Sequence, residues 1–204
     1  VMRNGAPTAI TAAAYTAGKV GQGFSFNGNN HLSVAHSASL SPTTGLTIEG
    51  WVWTPSGASG TRIIAFKGSF TNGEIQYAFY LDDPNLVYAQ VEASYYAVSG
   101  SGLAAEAWNH VAMTYDTAGK TLTLFINGQP ETPVTIADGL VPTPEPLRIG
   151  NSGDGNDPYP FVGQMDELTL YNRALAGSEV QSIYNAGAAG KNNPNCATAP
   201  ADIV

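Results

Sequence analysis

Carboxylates are the side chains of this chain best suited to chemistry, and their spacing decides which chemistry is open to them. Retaining glycoside cleavage needs two of them roughly 5 Å apart on one sheet face, as alternate positions of one strand provide. Glu49 stands alone in "TIEGWVW", Asp82 and Asp83 precede Pro84 in a turn, and Asp166 and Glu167 are neighbours whose side chains point to opposite strand faces. None of these is the required pair. His31, His36 and His110 occupy strand or turn contexts without a G-x-S-x-G elbow, and the single cysteine, Cys196, lies in the tail. His110, in phase with Trp108 and Ala112, reads as a packed core histidine. Zinc is disfavoured, since no C-x-x-C, H-E-x-x-H or EF-hand pattern occurs.

Asp166 poses a different problem. Under unbroken alternation it points with Leu168 and Leu170 to the side expected to be dry. A carboxylate there needs a cation, a metal or several N–H donors. Calcium suits it, because it takes oxygen ligands, backbone carbonyls included, and the chain is rich in Asn and Gly loops; the competing reading is a set of turn amides. A second acidic loop, "NSGDGNDPYP", brings Asp154, Asn156 and Asp157 close to Tyr159. It could hold sugar hydroxyls or a second calcium, or be a solvated turn.

Sugar rings stack their C–H faces on aromatic side chains. Trp51 and Trp53 share a face with Glu49, and Trp53 is expected as an exposed platform. Tyr88, Tyr95 and Tyr96 in "YAQVEASYYAV" are candidates to line a concave sheet; ordinary alternation of core and surface aromatics explains any one of them equally well.

The elements that must position these residues are mostly strands. "FSFNGNNHLSV" reads as a hairpin-like pair about an Asn-Gly turn, with Phe24 and Phe26 in phase before it and Leu32 and Val34 after it. Period-two segments follow: Leu46 to Trp53, Arg62 to Gly68, Ile75 to Leu81, Leu86 to Ala93, Ser94 to Gly100, Trp108 to Asp116, Thr121 to Gly128 and Leu147 to Gly150. One segment is helical. Leu175, Val180, Ile183 and Tyr184 share a face, Ser178 and Glu179 favour its start, and Gly187 ends it. Such a helix is expected to cap an open end of the core. The first residues read as a ragged strand plus loop, and "GKNNPN" as a linker.

At 204 residues the chain suits one domain, here residues 1–190 followed by a linker over 191–204. Its net charge of −8, without a basic run, argues against binding nucleic acid or an anionic membrane. Only 12% of residues are charged, a profile of turns and short strands in a secreted β protein, and no stretch is long and apolar enough to insert in a membrane. Val1 to Val20 lacks the pattern of a signal peptide, so a fragment or mature form is expected. Cys196 has no partner in the chain.

The order of "GKVGQGFSFNGNNHLSVAHSASLS", "LTIEGWVW", "WNHVAMTYD", "TLTLFINGQ", "LRIGNSG" and "FVGQMDELTLYNRALAGSEVQSIYNAG" resembles the laminin-G-like domains of the concanavalin A-like lectin/glucanase superfamily in bacterial extracellular proteins. The resemblance covers about Gly18 to Gly190, and "CATAPADIV" is similar to the opening of a following repeat. It implies an all-β jelly-roll sandwich of two curved antiparallel sheets with one short C-terminal capping helix. It also implies Trp51 in the core and a structural calcium joining Asp166 to carbonyls of the early hairpin at Asn27, Gly28 or Asn29. The function expected is a non-catalytic, calcium-stabilised carbohydrate-binding or adhesion module, lectin-like and extracellular, whose partners are a glycan or cell-surface polysaccharide and neighbouring domains. The alternatives are a spacer repeat without a ligand and, third, a glucanase-type hydrolase.

Overall fold

The computed structural model describes residues 9–10, 14–92, 95–137, 139–153 and 159–191. Two antiparallel sheets face each other. One runs in the order β1 (Ala9–Ile10), β4 (Leu32–Val34), β14 (Leu147–Ile149), β6 (Arg62–Ser69), β7 (Glu74–Asp82), β8 (Leu86–Val91), β9 (Tyr95–Val98). The other runs β12 (Gln129–Pro130), β11 (Thr121–Ile126), β10 (Trp108–Asp116), β5 (Gly45–Trp53), β15 (Val162–Tyr171), β3 (Gln22–Asn27), β2 (Ala14–Ala17), with β13 (Val134–Thr135) pairing β11. This is the expected jelly-roll sandwich.

Alternation along the strands builds the core. Ile48, Val111, Met113 and Leu122 of the eight-stranded sheet meet Ile64, Phe79 and Val87 of the seven-stranded one, all buried in a single cluster. The intervening residues of each strand form the two outer faces. These faces differ, because the only α-helix among the described residues, α1 (Gly177–Ala186), covers just one of them.

Two expectations are corrected here. The "FSFNGNNHLSV" segment is not a hairpin: β3 pairs β2 and β15, while β4 pairs β1 and β14 in the opposite sheet. The turn crosses the sandwich because asparagine side chains satisfy its backbone. Asn27 Oδ1 accepts from the Asn29 N–H, Asn30 Oδ1 accepts from the Asn27 N–H, and Asn30 Nδ2 donates to the Ser25 carbonyl. Nor does α1 cap an end of the core. Val180 and Ile183, with Leu175 before the helix, pack on Ala112, Phe125 and Tyr171, on the outer face of the eight-stranded sheet. Glu179 accepts from the Ala176 N–H at 2.8 Å at the helix start, and Gly187 ends it at φ 51°.

Candidate functional site

Beneath α1 lies a sealed polar cluster. The register β5 to β10 sets Glu49 opposite Ala112 and Trp51 opposite His110, so all four point outward, toward the helix. Glu49 and His110 are wholly buried, with Nε2 of the histidine 3.1 Å from Glu49 Oε2. Lys191 reaches in from beyond the helix, donating to Glu49 Oε1 at 2.7 Å, to Thr169 Oγ1 at 2.5 Å and to the Glu167 carbonyl. The Tyr171 hydroxyl lies 3.4 Å from Glu49 Oε1. Burial alone would raise the Glu49 carboxyl, but the Lys191 charge and the hydrogen bond from His110 hold it below its ordinary range. Trp51 roofs the cluster, stacked on Tyr184 at 5.8 Å and edge-on to His110, with Lys19 Nζ 4.4 Å from its ring centre. No substrate atom can reach this carboxylate, and its ionised state is held by fixed donors.

Asp166 belongs to the same face, not to the dry one. Asp166 pairs Trp51 and Thr169 pairs Glu49, so Glu167 and Leu168 together oppose Gly50 in a β-bulge. Glu167 sits at φ 53°, and Gly50 leaves room where a Cβ would come within 3.0 Å of the Leu168 backbone. The bulge inverts the phase of the strand: Met165, Leu168 and Leu170 face the core, whereas Asp166 and Tyr171 face outward.

The calcium set expected at Asp166 is not brought together. Asn27 pairs Val162 and Phe24 pairs Met165, so Asp166 stands level with Gly23. Four residues separate it from Asn27 along the strand, roughly 13 Å. Its carboxylate instead accepts the N–H of Val20 at 2.7 Å and of Glu167 at 2.8 Å, pinning the turn before β3. Each of its oxygens is thus engaged by an amide donor, and the Asn27 to Asn30 corner is closed by its own hydrogen bonds. Among the described residues no three acidic, histidine or cysteine side chains converge as metal ligands.

Among the described residues no α-helix lies over the outer face of the seven-stranded sheet, though Ile63, Phe66 and Ala78 on that face are fully buried against Phe70, Tyr80 and Tyr159. Tyr80 of β7 pairs Tyr88 of β8, and their half-buried rings lie 5.0 Å apart and within 9° of parallel. Farther across, Phe66 stacks on Phe70 at 4.4 Å, and Tyr159 meets Phe70 edge-on at 5.5 Å. Arg148, opposite Phe66, donates to the Gly68 carbonyl and pairs with Glu145 at 3.1 Å.

The residues expected to share a glycan site are therefore divided. Trp53 is half-buried in the eight-stranded sheet, between Trp108 and Gln164, on the same outward side as Trp51. Tyr159 lies outside the strands, beside the other sheet, where its carbonyl accepts the Ile63 N–H of β6. Tyr95 and Tyr96 pair Val91 and Gln90 in the edge strand β9. Asp154, Asn156 and Asp157 lie outside the described residues. Tyr80 escaped the sequence reading, although the short "DDPN" turn is a signal for it: a tight turn there sets residues 80 and 88 opposite one another.

The family follows from sequence and fold together. The chain belongs to the concanavalin A-like lectin/glucanases superfamily, matching its Laminin_G_3 model over residues 26–181. No curated protein matches it in sequence. Among solved structures it is similar to domain 4 of a GH43 extracellular arabinanase from Geobacillus stearothermophilus in complex with arabinotriose, at 21% identity and a TM-score of 0.64, covering 83% of this chain and 80% of that one. The CBM40 of the Ruminococcus gnavus IT-sialidase, bound to alpha2,3 sialyllactose, gives 16% identity and 0.69, covering 79% and 96%. A heptameric SAP-like pentraxin from Limulus polyphemus gives 20% and 0.63, covering 88% and 89%. At these identities the likeness is one of fold. No helix among the described residues is long and apolar enough to cross a membrane.

Proposed function

We propose that this domain is a non-catalytic carbohydrate-binding module of a secreted or cell-surface protein, and that it receives glycan on the open face of the seven-stranded sheet. The observation that carries the reading is the parallel, half-buried pair Tyr80 and Tyr88 on the sheet face that α1 does not cover. Phenol rings offer apolar surface to a pyranose C–H face, and their hydroxyls both donate and accept. Two of the similar folds hold arabinotriose and sialyllactose, which supports a saccharide as the ligand class. The absence of catalysis is argued from Glu49, which is locked by Lys191 and His110. Calcium enters this proposal only through Asp154, Asn156 and Asp157, the acidic loop outside the described residues.

A glycan array followed by calorimetry tests it. Affinity should fall between micromolar and millimolar, as for a shallow surface. Tyr80→Ala and Tyr88→Ala should each weaken binding about three- to tenfold, and Trp53→Ala should leave it unchanged. The opposite pattern would move the site to the other sheet. Laminarin and lichenan should release no reducing ends, and release that persists on repurification would make the domain an enzyme.

A further inference from the structure

The open face has a charge pattern as well as an aromatic one. Pairing of β7 with β8 runs without a shift from Tyr77 to Asp82, so residues two apart on either strand share a side. Asp82 and Leu86 therefore flank the Tyr80–Tyr88 pair at one end, and Ala78 and Gln90 at the other. Asp82 is half-buried, and its Oδ1 accepts the Asp83 N–H at 2.8 Å. It stands two strand residues from Tyr80, roughly 7 Å, within a Debye length at physiological salt. Gln90 brings a neutral amide, which both donates and accepts.

Among the described residues no cation stands beside the ring pair on this side of the sheet. The chain has 8 lysines and arginines, and only Arg3 lies outside the described residues. Lys19, Lys120, Arg173 and Lys191 belong to the eight-stranded sheet, its turns and its helix, where they meet Trp51, the Ala137 carbonyl, Glu179 and Glu49. Lys67 and Arg62 pair with the core residues Tyr77 and Leu81, and so point between the sheets. Arg62 is engaged by the Gly60 carbonyl and Asn85 Oδ1, and its one charge faces both Asp83 and Asp82. Arg148 is on the outer face but two strands from β7, and Glu145 pairs with it at 3.1 Å.

We propose that the Tyr80–Tyr88 site selects neutral saccharides over those that carry a carboxylate, and that Asp82 sets the choice. The inference rests on the carbohydrate-binding reading above and names the class of sugar which that reading would take. A neutral pyranose laid against the rings meets phenol surface with its C–H face, and its hydroxyls can use the amide of Gln90. A uronate or sialate in the same place brings a second anion close to Asp82, with no cation to take it up. The like-charge cost grows where the rings displace water, and such a repulsive element discriminates between partners as well as an attractive one. Arginine is the usual partner of a carboxylate, through a planar bidentate fork, and the described arginines are committed to protein acceptors. The net charge of −8 adds to the same bias.

The probes are a galacturonic acid tetramer and its methyl ester, which differ in the charge of their carboxyl groups, together with an array of neutral and acidic glycans. Titrated by calorimetry, the ester should bind about three- to tenfold more tightly than the acid, and the gap should narrow as salt is added. Asp82→Asn keeps the Oδ1 that accepts the Asp83 N–H, so melting temperature should hold while most of the gap closes. Asp82→Lys should reverse the order. Array signals that depend on Tyr88 should come from neutral glycans. A gap that survives Asp82→Asn, an acid that binds as tightly as its ester, or a Tyr88-dependent signal dominated by acidic glycans overturns the inference and leaves the carbohydrate reading standing. If no glycan binds, or Tyr88→Ala changes nothing, the carbohydrate reading of this face fails first and the selection falls with it.

Discussion

The two outer faces of the sandwich are built from the same kind of strand, and they put polar residues to opposite uses. On the eight-stranded sheet, α1 and Lys191 close over Glu49, His110 and Tyr171, and every oxygen of Glu49 meets a donor. On the seven-stranded sheet, Tyr80 and Tyr88 keep part of their surface in solvent, and Glu74 is exposed. A buried charge must be matched from within the chain, whereas an uncovered one can be matched by a ligand. Cover, rather than residue type, separates the sealed face from the one proposed to bind.

The sharpest way to break this contrast is at Glu49. Glu49→Ala leaves Lys191 and His110 without their anion and should cost about 3–5 kcal/mol in denaturant unfolding. Glycan affinity per folded molecule should not change. Because the Glu49 carboxyl is held below its usual 4.5, its contribution is present above that value and lost as pH falls through the depressed one. Glu49→Gln should accordingly show a flatter acid-unfolding profile below pH 4.5 than the parent. An unchanged acid limb would mean that the cluster is not ionised as described.

A smaller effect is expected at Asp166, where the anion is held by amides. Asp166→Asn should cost about 1–2 kcal/mol through loss of charge-assisted acceptors for the Val20 and Glu167 N–H groups. The decrement should be equal in EDTA and in excess calcium. A loss seen only with calcium would return the metal to this residue.

A third effect lies in the seven-stranded sheet. Lys67 is buried there, donates to the Glu145 carbonyl and lies 3.1 Å from His36 Nδ1. Burial pushes its ammonium down to about 8 from 10.5, partly offset by Glu145. Between those values the unfolded chain binds more protons, so stability should rise with pH from about 8 to 10. Lys67→Met should lack that rise, as read from urea midpoints at a series of pH values. A parallel slope in the variant would assign the rise to other groups.

Much of this molecule is legible in its sequence. Alternation in "LTIEGWVW" and "WNHVAMTYD" places Glu49, Trp51 and His110 on one face, because a strand of fixed period allows no other arrangement. The helix and its ends follow from Leu175, Val180, Ile183, Glu179 and Gly187 for the same local reason. What local pattern does not hold is the partner of each face. The bulge at Glu167 and Leu168 exists because Gly50 of a strand distant in sequence makes room for it, and it turns Asp166 from the core side to the helix side. The "FNGNN" corner crosses between sheets because β3 and β4 find their neighbours at β15 and β14, far along the chain. The sequence by itself determined the strands, their alternating faces and the superfamily, since these depend on near neighbours and short periods. Tertiary structure alone decided that Glu49 is sealed, that Asp166 is held by amides, and that Tyr80 and Tyr88 remain open, because each depends on which distant segment packs over the residue and excludes water from it.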